Sequence, residues 1–523
     1  MRYRTIWSVL LIIALLFLPA CAQVGDSTSN DLLSDFYGAP TQEALESAID
    51  DLVDADVDAG DLALLLREGI EYSSDVPVGW SVYEFEGADG RTRPYHVYVP
   101  TDYDPNESYT LLLDLHGAVS SPAQSAEYLM ERRRLWESKA EEYGWILLVP
   151  HGDRNATWFS EDGRANILGE LAFVKHLYNV DENKVFVSGF SDGGSGAYWQ
   201  AFHDPTPWAA MIAFHGHPGV GGYGPYQTYP RNLLNRPIRA TTGEQDELYP
   251  PSNIAPFVGL FTELGVDLEW IVYPGGHEAR FLSTEAEFTI DFVMNTERNP
   301  LTSEVVWETS NKAVARCDWV RIDDIADVGN NAVFQDINLA EVTSQIVFGA
   351  SLAYQGGTLF TVAGLEPGST AHVMGILNGD QILRIGRFEV LTQADLTVAL
   401  MGKVPGDSVE VEIIRDGETM ILTGIIPADE LVFRRDVPTA SIRVLADGNQ
   451  IDVEVSHVGR YTLFISSEQF NLSQPIAVTT NGLTSFSEVV TPDVRFMLKQ
   501  AAEDFDREMI YETFIEIEVP AIP

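Results

Sequence analysis

Val185-Phe186-Val187-Ser188-Gly189-Phe190-Ser191-Asp192-Gly193-Gly194 runs from an apolar, strand-like triplet into a glycine-rich turn. The residues behind it, Ser195-Gly196-Ala197-Tyr198-Trp199, have helical character. A serine set between glycines, after a strand and before a helix, has the context of a nucleophile elbow. Such a turn is tight enough that side chains at the flanking positions would clash, and the serine itself must adopt a strained backbone angle. Ser191 is therefore the candidate nucleophile. Outside that context, the same Gly-x-Ser-x-Gly letters fit any glycine-rich turn.

Working outward, Trp80–Phe85 and Tyr95–Val99 alternate like strands around the turn Ala88-Asp89-Gly90. Tyr109–Leu115, Ile146–Val149, Met211–Phe214, Ile238–Thr241 and Leu268–Tyr273 are nearly continuous apolar runs, the pattern of strands buried on both faces. Helix-like segments lie between several of them: Ala126–Tyr143, Ile167–Tyr178, Ser195–Phe202 and Ile254–Leu264. This alternation predicts an α/β domain over residues 78–300, built on a doubly wound, mainly parallel sheet.

A serine hydroxyl needs a base, and the base needs an orienting carboxylate. Asp246, in Gly243-Glu244-Gln245-Asp246-Glu247, follows one predicted strand, and His277, in Pro274-Gly275-Gly276-His277, follows the next. Both loops leave the sheet at the edge where Ser191 sits, so His277 is the expected base and Asp246 its partner. Glu247 and Glu244 are alternatives in the same loop. Donors for an oxyanion are expected from the backbone N–H of Asp192 and from His116-Gly117-Ala118, with Gly117 or Ala118 donating. Phe214-His215-Gly216-His217 and Trp158 border this region as candidate pocket walls. The His-x-His pair lacks an adjacent carboxylate cluster in sequence, so no metal and no cofactor is expected.

At these positions the chain resembles the α/β-hydrolase superfamily over roughly residues 78–298. The nearest likeness is to secreted esterases of the polyhydroxybutyrate depolymerase and feruloyl esterase kind, carried by Tyr95–Pro100, Leu115-His116-Gly117, the Ser191 turn and the Pro-Gly-Gly-His loop. The prolyl oligopeptidase clan shares this core. The resemblance thus implies acyl transfer, with an ester or a peptide as substrate.

The rest of the chain reads as accessory. Leu365-Glu366-Pro367-Gly368-Ser369-Thr370-Ala371, Gly375-Ile376, Asn378-Gly379-Asp380-Gln381-Ile382 and Pro405-Gly406-Asp407 resemble, in that order, a bacterial PDZ domain over residues 346–428. The resemblance implies capture of an extended peptide or a protein C-terminus at Phe348-Gly349-Ala350-Ser351-Leu352. Residues 301–345 and 429–523 are strand-rich, and are expected to form one interrupted β domain or a small accessory one. A binding protein whose hydrolase core is spent is the rival reading, although a decayed enzyme commonly loses one member of the triad and none is missing here.

At the start, Arg2 and Arg4 precede the apolar Ile6–Leu18, and Leu18-Pro19-Ala20-Cys21 resembles a lipobox in which Cys21 carries lipid. Residues 1–20 are thus expected as a signal peptide, 21–40 as a polar tether and 41–77 as a helical segment capped at Thr41 and broken at Gly60. This implies an exported protein held at the membrane, with plain secretion as the alternative. With Cys21 lipidated, Cys317 has no partner for a disulfide and is expected as a packed core residue. The chain has 523 residues and a net charge of −46. That charge excludes a nucleic-acid partner and disfavours docking on anionic headgroups.

Overall fold

The apolar runs form one eight-stranded sheet in the structure, a computed structural model. It describes residues 27–119, 136–278, 282–326, 334, 337–341, 348–354, 360–365, 369–391, 393–400, 403–404, 406–426, 430–433, 435 and 437–519. The strands are β1 (Gly79–Glu86), β2 (Thr92–Val99), β3 (Tyr109–Leu115), β4 (Trp145–Val149), β5 (Val180–Phe190), β6 (Ala210–Phe214), β7 (Ile238–Gly243) and β8 (Leu268–Tyr273). Their order is β1-β2-β4-β3-β5-β6-β7-β8. Only β2 runs against its neighbours, and β4 to β8 are joined by parallel pairings. This mixed sheet has the arrangement of an α/β-hydrolase-like fold. The central strands β4, β6 and β7 are buried at every residue; β4 and β6 accordingly read as unbroken apolar runs, whereas β7 also buries Arg239, which pairs with Glu285. The edge strand β8 is only partly covered.

Helices α1 (Ser27–Tyr37), α2 (Gln42–Asp54) and α3 (Ala59–Glu68) precede the sheet, while α4 (Glu161–Leu177), α5 (Asp192–His203), α6 (Pro251–Leu264) and α7 (Leu282–Asn295) are interleaved with or follow its strands. The later helices are α8 (Thr370–Val373), α9 (Gln393–Leu400) and α10 (Val494–Asp504). Thr41 caps α2, its hydroxyl accepting from Ala44 N at 3.1 Å. The break before α3 falls ahead of Asp58, which caps that helix, so Gly60 lies inside it.

The tether expectation fails in part. Ser27–Tyr37 is helical, and Leu33 and Phe36 pack with Leu45, Ile49, Leu52, Leu62 and Leu66 against Met497 and Leu498 of α10. The apolar positions of α1 recur at helical spacing, and the surface that covers them comes from the far end of the chain.

Strands from both sides of residues 338–434 build the accessory β region. Glu304–Thr309 pairs with Ala440–Asp447 in a five-stranded sheet. Val320–Ile325 pairs with Val458–Ile465 in a four-stranded one. Between the two sheets lie Trp307, Cys317, Trp319, Val444, Tyr461 and Val478. Buried ion pairs tie this region to the elements that flank the eight-stranded sheet. Arg298 forks onto Asp506 at 2.8 and 2.9 Å, and Lys175 reaches the same carboxylate at 3.4 Å. Removing one partner of such a pair strands a charge, at about 3–5 kcal/mol.

Residues 338–434 form a separate compact unit. It holds a six-stranded sheet, helices α8 and α9, and its own core of Val362, Ala371, Ile376, Ile382, Leu396 and Val411 among others. Its two ends are stitched together: Ala340 pairs with Leu431, and Asn338 exchanges side-chain hydrogen bonds of 2.7 and 2.9 Å with the Phe433 backbone. Of the proposed peptide-binding residues, Phe348 and Ala350 are buried in that core, and Ala350–Tyr354 is a strand at one end of the sheet. Cys21 and the apolar run before it lie outside the described residues. Among the described residues, no helix is long and apolar enough to cross a membrane.

Candidate active site

Strands β5, β7 and β8, with β6 between the first two, deliver the candidate triad to one edge of the sheet. β5 ends at Phe190, and Ser191 turns the chain directly into α5 with φ 60° and ψ −121°. The glycines make this turn possible. A Cβ on Gly193 would stand 1.9 Å from the Leu115 carbonyl oxygen, and one on Gly189 would stand 2.3 Å from the Gly193 backbone. Ser191 precedes the helix without capping it, so its hydroxyl is directed elsewhere. Ser191 Oγ lies 2.8 Å from Nε2 of His277, and His277 Nδ1 lies 2.7 Å from Asp246 Oδ2. A carboxylate only accepts, so the His277 proton sits on Nδ1 and Nε2 is left to accept from the serine.

Asp246 is 3% exposed, whereas Glu244 and Glu247 face solvent. Its Oδ1 accepts from the backbone N–H of Leu248 at 2.9 Å and of Tyr249 at 2.8 Å. Its Oδ2 accepts from His277 and also from Nδ1 of His215, at 3.1 Å. Burial pushes the Asp246 carboxyl up, but the Tyr249, His277 and Leu248 donors outweigh it and hold the group below the usual carboxylate range. Asp246 thus stays an anion with a donor at every lone-pair position.

The loop after β3 faces Ser191. A Cβ on Gly117 would come within 3.0 Å of Phe190 O and of Ser191 Cβ, so only glycine brings the backbone this close to the serine. Gly152 N donates to His116 Nε2 at 3.2 Å, which leaves the His116 proton on Nδ1 to donate to Gly117 O at 2.8 Å. Pinning the Gly117 carbonyl sets the opposite direction for the Ala118 N–H in the same trans peptide. Ala118 takes φ 53°. Asp192 holds the loop from the other side, its Oδ2 accepting from Val119 N at 2.9 Å. Gly117, Ala118 and Asp192 therefore gather around Ser191.

Trp158 is not a pocket wall. It is 1% exposed and lies behind the loop, its Nε1 donating to His116 O at 2.8 Å. His217 is held by its own backbone N–H, which donates to Ser195 Oγ at 2.9 Å, and burial pulls its imidazole down to about 4. Reading the sequence missed Tyr249 and gave the buried His215 only the role of a pocket wall. The Tyr249 hydroxyl engages Ser195 and Asp192, with burial raising its pKa to about 12, and His215 joins Asp246. His215, Asp246 and His277 present ligand atoms within 4.8 Å of one another, a donor set able to hold a divalent cation. In the structure both imidazoles hydrogen-bond the carboxylate instead.

Comparison with known proteins adds three findings. Residues 154–314 match the model of the dienelactone hydrolase family. The bifunctional acetylxylan esterase/xylanase XynS20E of Neocallimastix patriciarum is 29% identical over 121 residues, and the match spans 23% of this chain but only 17% of that protein's length. Similar solved structures include a thermostable esterase, with 21% identity and TM-score 0.36 over 42% of this chain and 63% of that one. A ferulic acid esterase has 15% identity and TM-score 0.35 over 41% and 97%. The fluorophosphonate-binding serine hydrolase FphF of Staphylococcus aureus has 16% identity and TM-score 0.35 over 42% and 100%.

Proposed function

We propose that the protein is a serine hydrolase that cleaves carboxylic esters through an acyl-enzyme. The observation that carries this reading is the unbroken relay from Ser191 Oγ to His277 to Asp246, with links of 2.8 and 2.7 Å, at a serine with φ 60°. Support also comes from the dienelactone hydrolase match over residues 154–314.

In this mechanism Ser191 Oγ attacks the ester carbonyl while His277 Nε2 takes the hydroxyl proton. The N–H groups of Asp192 and of Gly117 or Ala118 receive the oxyanion. His277 then returns the proton to the departing alkoxide, and the acyl group remains on Ser191. A water molecule, deprotonated by His277, releases the acid and restores the serine. Asp246 stays ionised throughout and stabilises the imidazolium.

Ser191→Ala should lower kcat/KM on p-nitrophenyl acetate by on the order of 10³-fold or more. It should also abolish labelling by a fluorophosphonate probe. A variant that hydrolyses and labels like the wild type would end this assignment.

We extend the reading to export through lipidation of Cys21, which predicts palmitate incorporation that Cys21→Ala removes; unlabelled wild-type protein would refute it. For residues 338–434 the reading is a PDZ-like module that recruits an extended peptide. Its support is the motif order together with the position of Ala350–Tyr354 at the end of the sheet, where a further strand can pair.

A further inference from the structure

Sheet order sets His215 beside the candidate triad. It is the first residue after β6, the strand between the one that carries Ser191 and the one that leads to Asp246. Its backbone N–H donates to Thr241 O at 2.8 Å, and its φ of 48° turns the chain out of the sheet at that point. The side chain is 1% exposed, and its Nδ1 lies 3.1 Å from the same Asp246 Oδ2 that accepts from His277. Because an ionised carboxylate can only accept, His215 holds a proton on Nδ1 and donates it.

We propose that His215 is a positioning residue, a second imidazole that fixes the rotation of the Asp246 carboxylate and shares its charge, so that Oδ2 is presented to His277 in one orientation. The inference rests on the serine-hydrolase reading above. Backbone donors from Leu248 and Tyr249 hold only Oδ1. Without His215, Oδ2 keeps the moving partner His277 and loses the stationary one. The carboxylate then concentrates more charge on the His277 side and pulls harder on its proton. Burial favours the neutral form of His215 over the cation, so it acts as a fixed dipole and not as a second base. Among the described residues, the other polar or titratable groups set against the two imidazoles include Ser191, Tyr249 and Glu278, and every variant below leaves them in place.

Three substitutions separate positioning from packing. His215→Asn puts an amide N–H where Nδ1 stood, and asparagine tolerates the left-handed backbone. His215→Gln is equally polar but carries its N–H one bond further out. His215→Leu fills much of the volume with no donor. Leu and Gln should each lower kcat on p-nitrophenyl acetate by about ten-fold, with KM within about two-fold, because the side chain does not face the substrate. Losing the shared donor should also move the acid limb of the kcat/KM profile to higher pH by roughly half a unit. Asn should restore both toward wild type.

Circular dichroism checks folding, and if Leu does not fold, the Asn–Gln contrast carries the test. Wild-type kcat and acid limb in Gln, or equal damage in Asn and Gln, would overturn the proposal. Ser191→Ala run alongside separates the two claims. If that variant is active, the hydrolase reading falls. If it is inactive while every folded His215 variant behaves as wild type, only the role of His215 falls.

Discussion

Where the eight-stranded sheet carries the candidate site, it turns the chain by different means from the inserted unit, residues 338–434, although glycines such as Gly90, Gly144 and Gly275 take positive φ elsewhere around the sheet. At the carboxyl ends of β3, β5 and β6 the residues with positive φ are Ala118, Ser191 and His215, none of them glycine. In the inserted unit such positions are Gly349, Gly375, Gly379, Gly386, Gly406 and Gly417, with Asp416 the one exception among the described residues. Glycine takes left-handed angles at no steric cost, whereas other residues pay of order 1–3 kcal/mol. The sheet bears that strain where Ser191 and His215 supply side chains to the candidate site. The inserted unit needs no side chain at its turns and relaxes them.

One buried acid from each region adds a second contrast. Asp380 in the inserted unit accepts from Arg415 at 2.8 and 2.7 Å and from Leu377 N at 2.8 Å. Glu170 on α4 is 0% exposed, and neither of its carboxylate oxygens has a hydrogen-bond partner among the described residues.

The largest expected contrast pairs two glycines. Gly193→Ala would drive a Cβ into the Leu115 carbonyl, while a Cβ on Gly375 meets nothing within 4 Å. Gly193→Ala should therefore lower kcat/KM by on the order of 10²-fold or more, as the serine and the oxyanion loop lose registry. Gly375→Ala should leave turnover unchanged and cost about 1 kcal/mol or a little more, from its positive φ alone. Ester kinetics with thermal unfolding of both variants tests this, and equal losses of turnover would erase the contrast.

Titration of the two buried acids should act in opposite directions. Burial raises the Glu170 carboxyl well above its usual value, and only Arg93 opposes it. Its contribution is full below the unfolded carboxyl pKa, about 4.3, and is lost as pH rises through the folded value. For Asp380, burial raises the carboxyl but Arg415 and the Leu377 N–H outweigh it, and the net shift is downward. That contribution is full above about 3.9 and is lost as pH falls through the folded value. Glu170→Gln should stabilise the larger unit at pH 9 and change little at pH 4. Asp380→Asn should flatten the acid loss of the inserted unit. No tryptophan lies within 338–434, so tryptophan fluorescence follows the larger unit alone while circular dichroism follows both. Matching pH slopes for wild type and Glu170→Gln would show that Glu170 is not the source.

The smallest effect is expected from removing the inserted unit altogether. Asn338 and Phe433 already hold its ends together, so replacing Asn338–Arg434 by a short Gly/Ser bridge should leave small-ester kcat/KM within about three-fold. Binding of an extended peptide should disappear with the unit. A folded deletion variant without ester turnover would make the unit part of the active site and end the recruitment reading.

What the sequence determined by itself is local. Strand periods, the elbow glycines and the Thr41 cap follow from residues within a few positions of one another. Three matters were decided only by tertiary structure. One is the choice of Asp246 over Glu244 and Glu247, which share its loop but remain exposed. Another is the burial of α1 against α10, joining Leu33 and Phe36 to Met497 and Leu498. The last is the meeting of His215 with Asp246, 31 residues apart. The physical reason is common to all three. Hydrophobic period shows which face of an element is apolar and where a turn can form, but not which distant surface covers that face or which loops the strand order brings together.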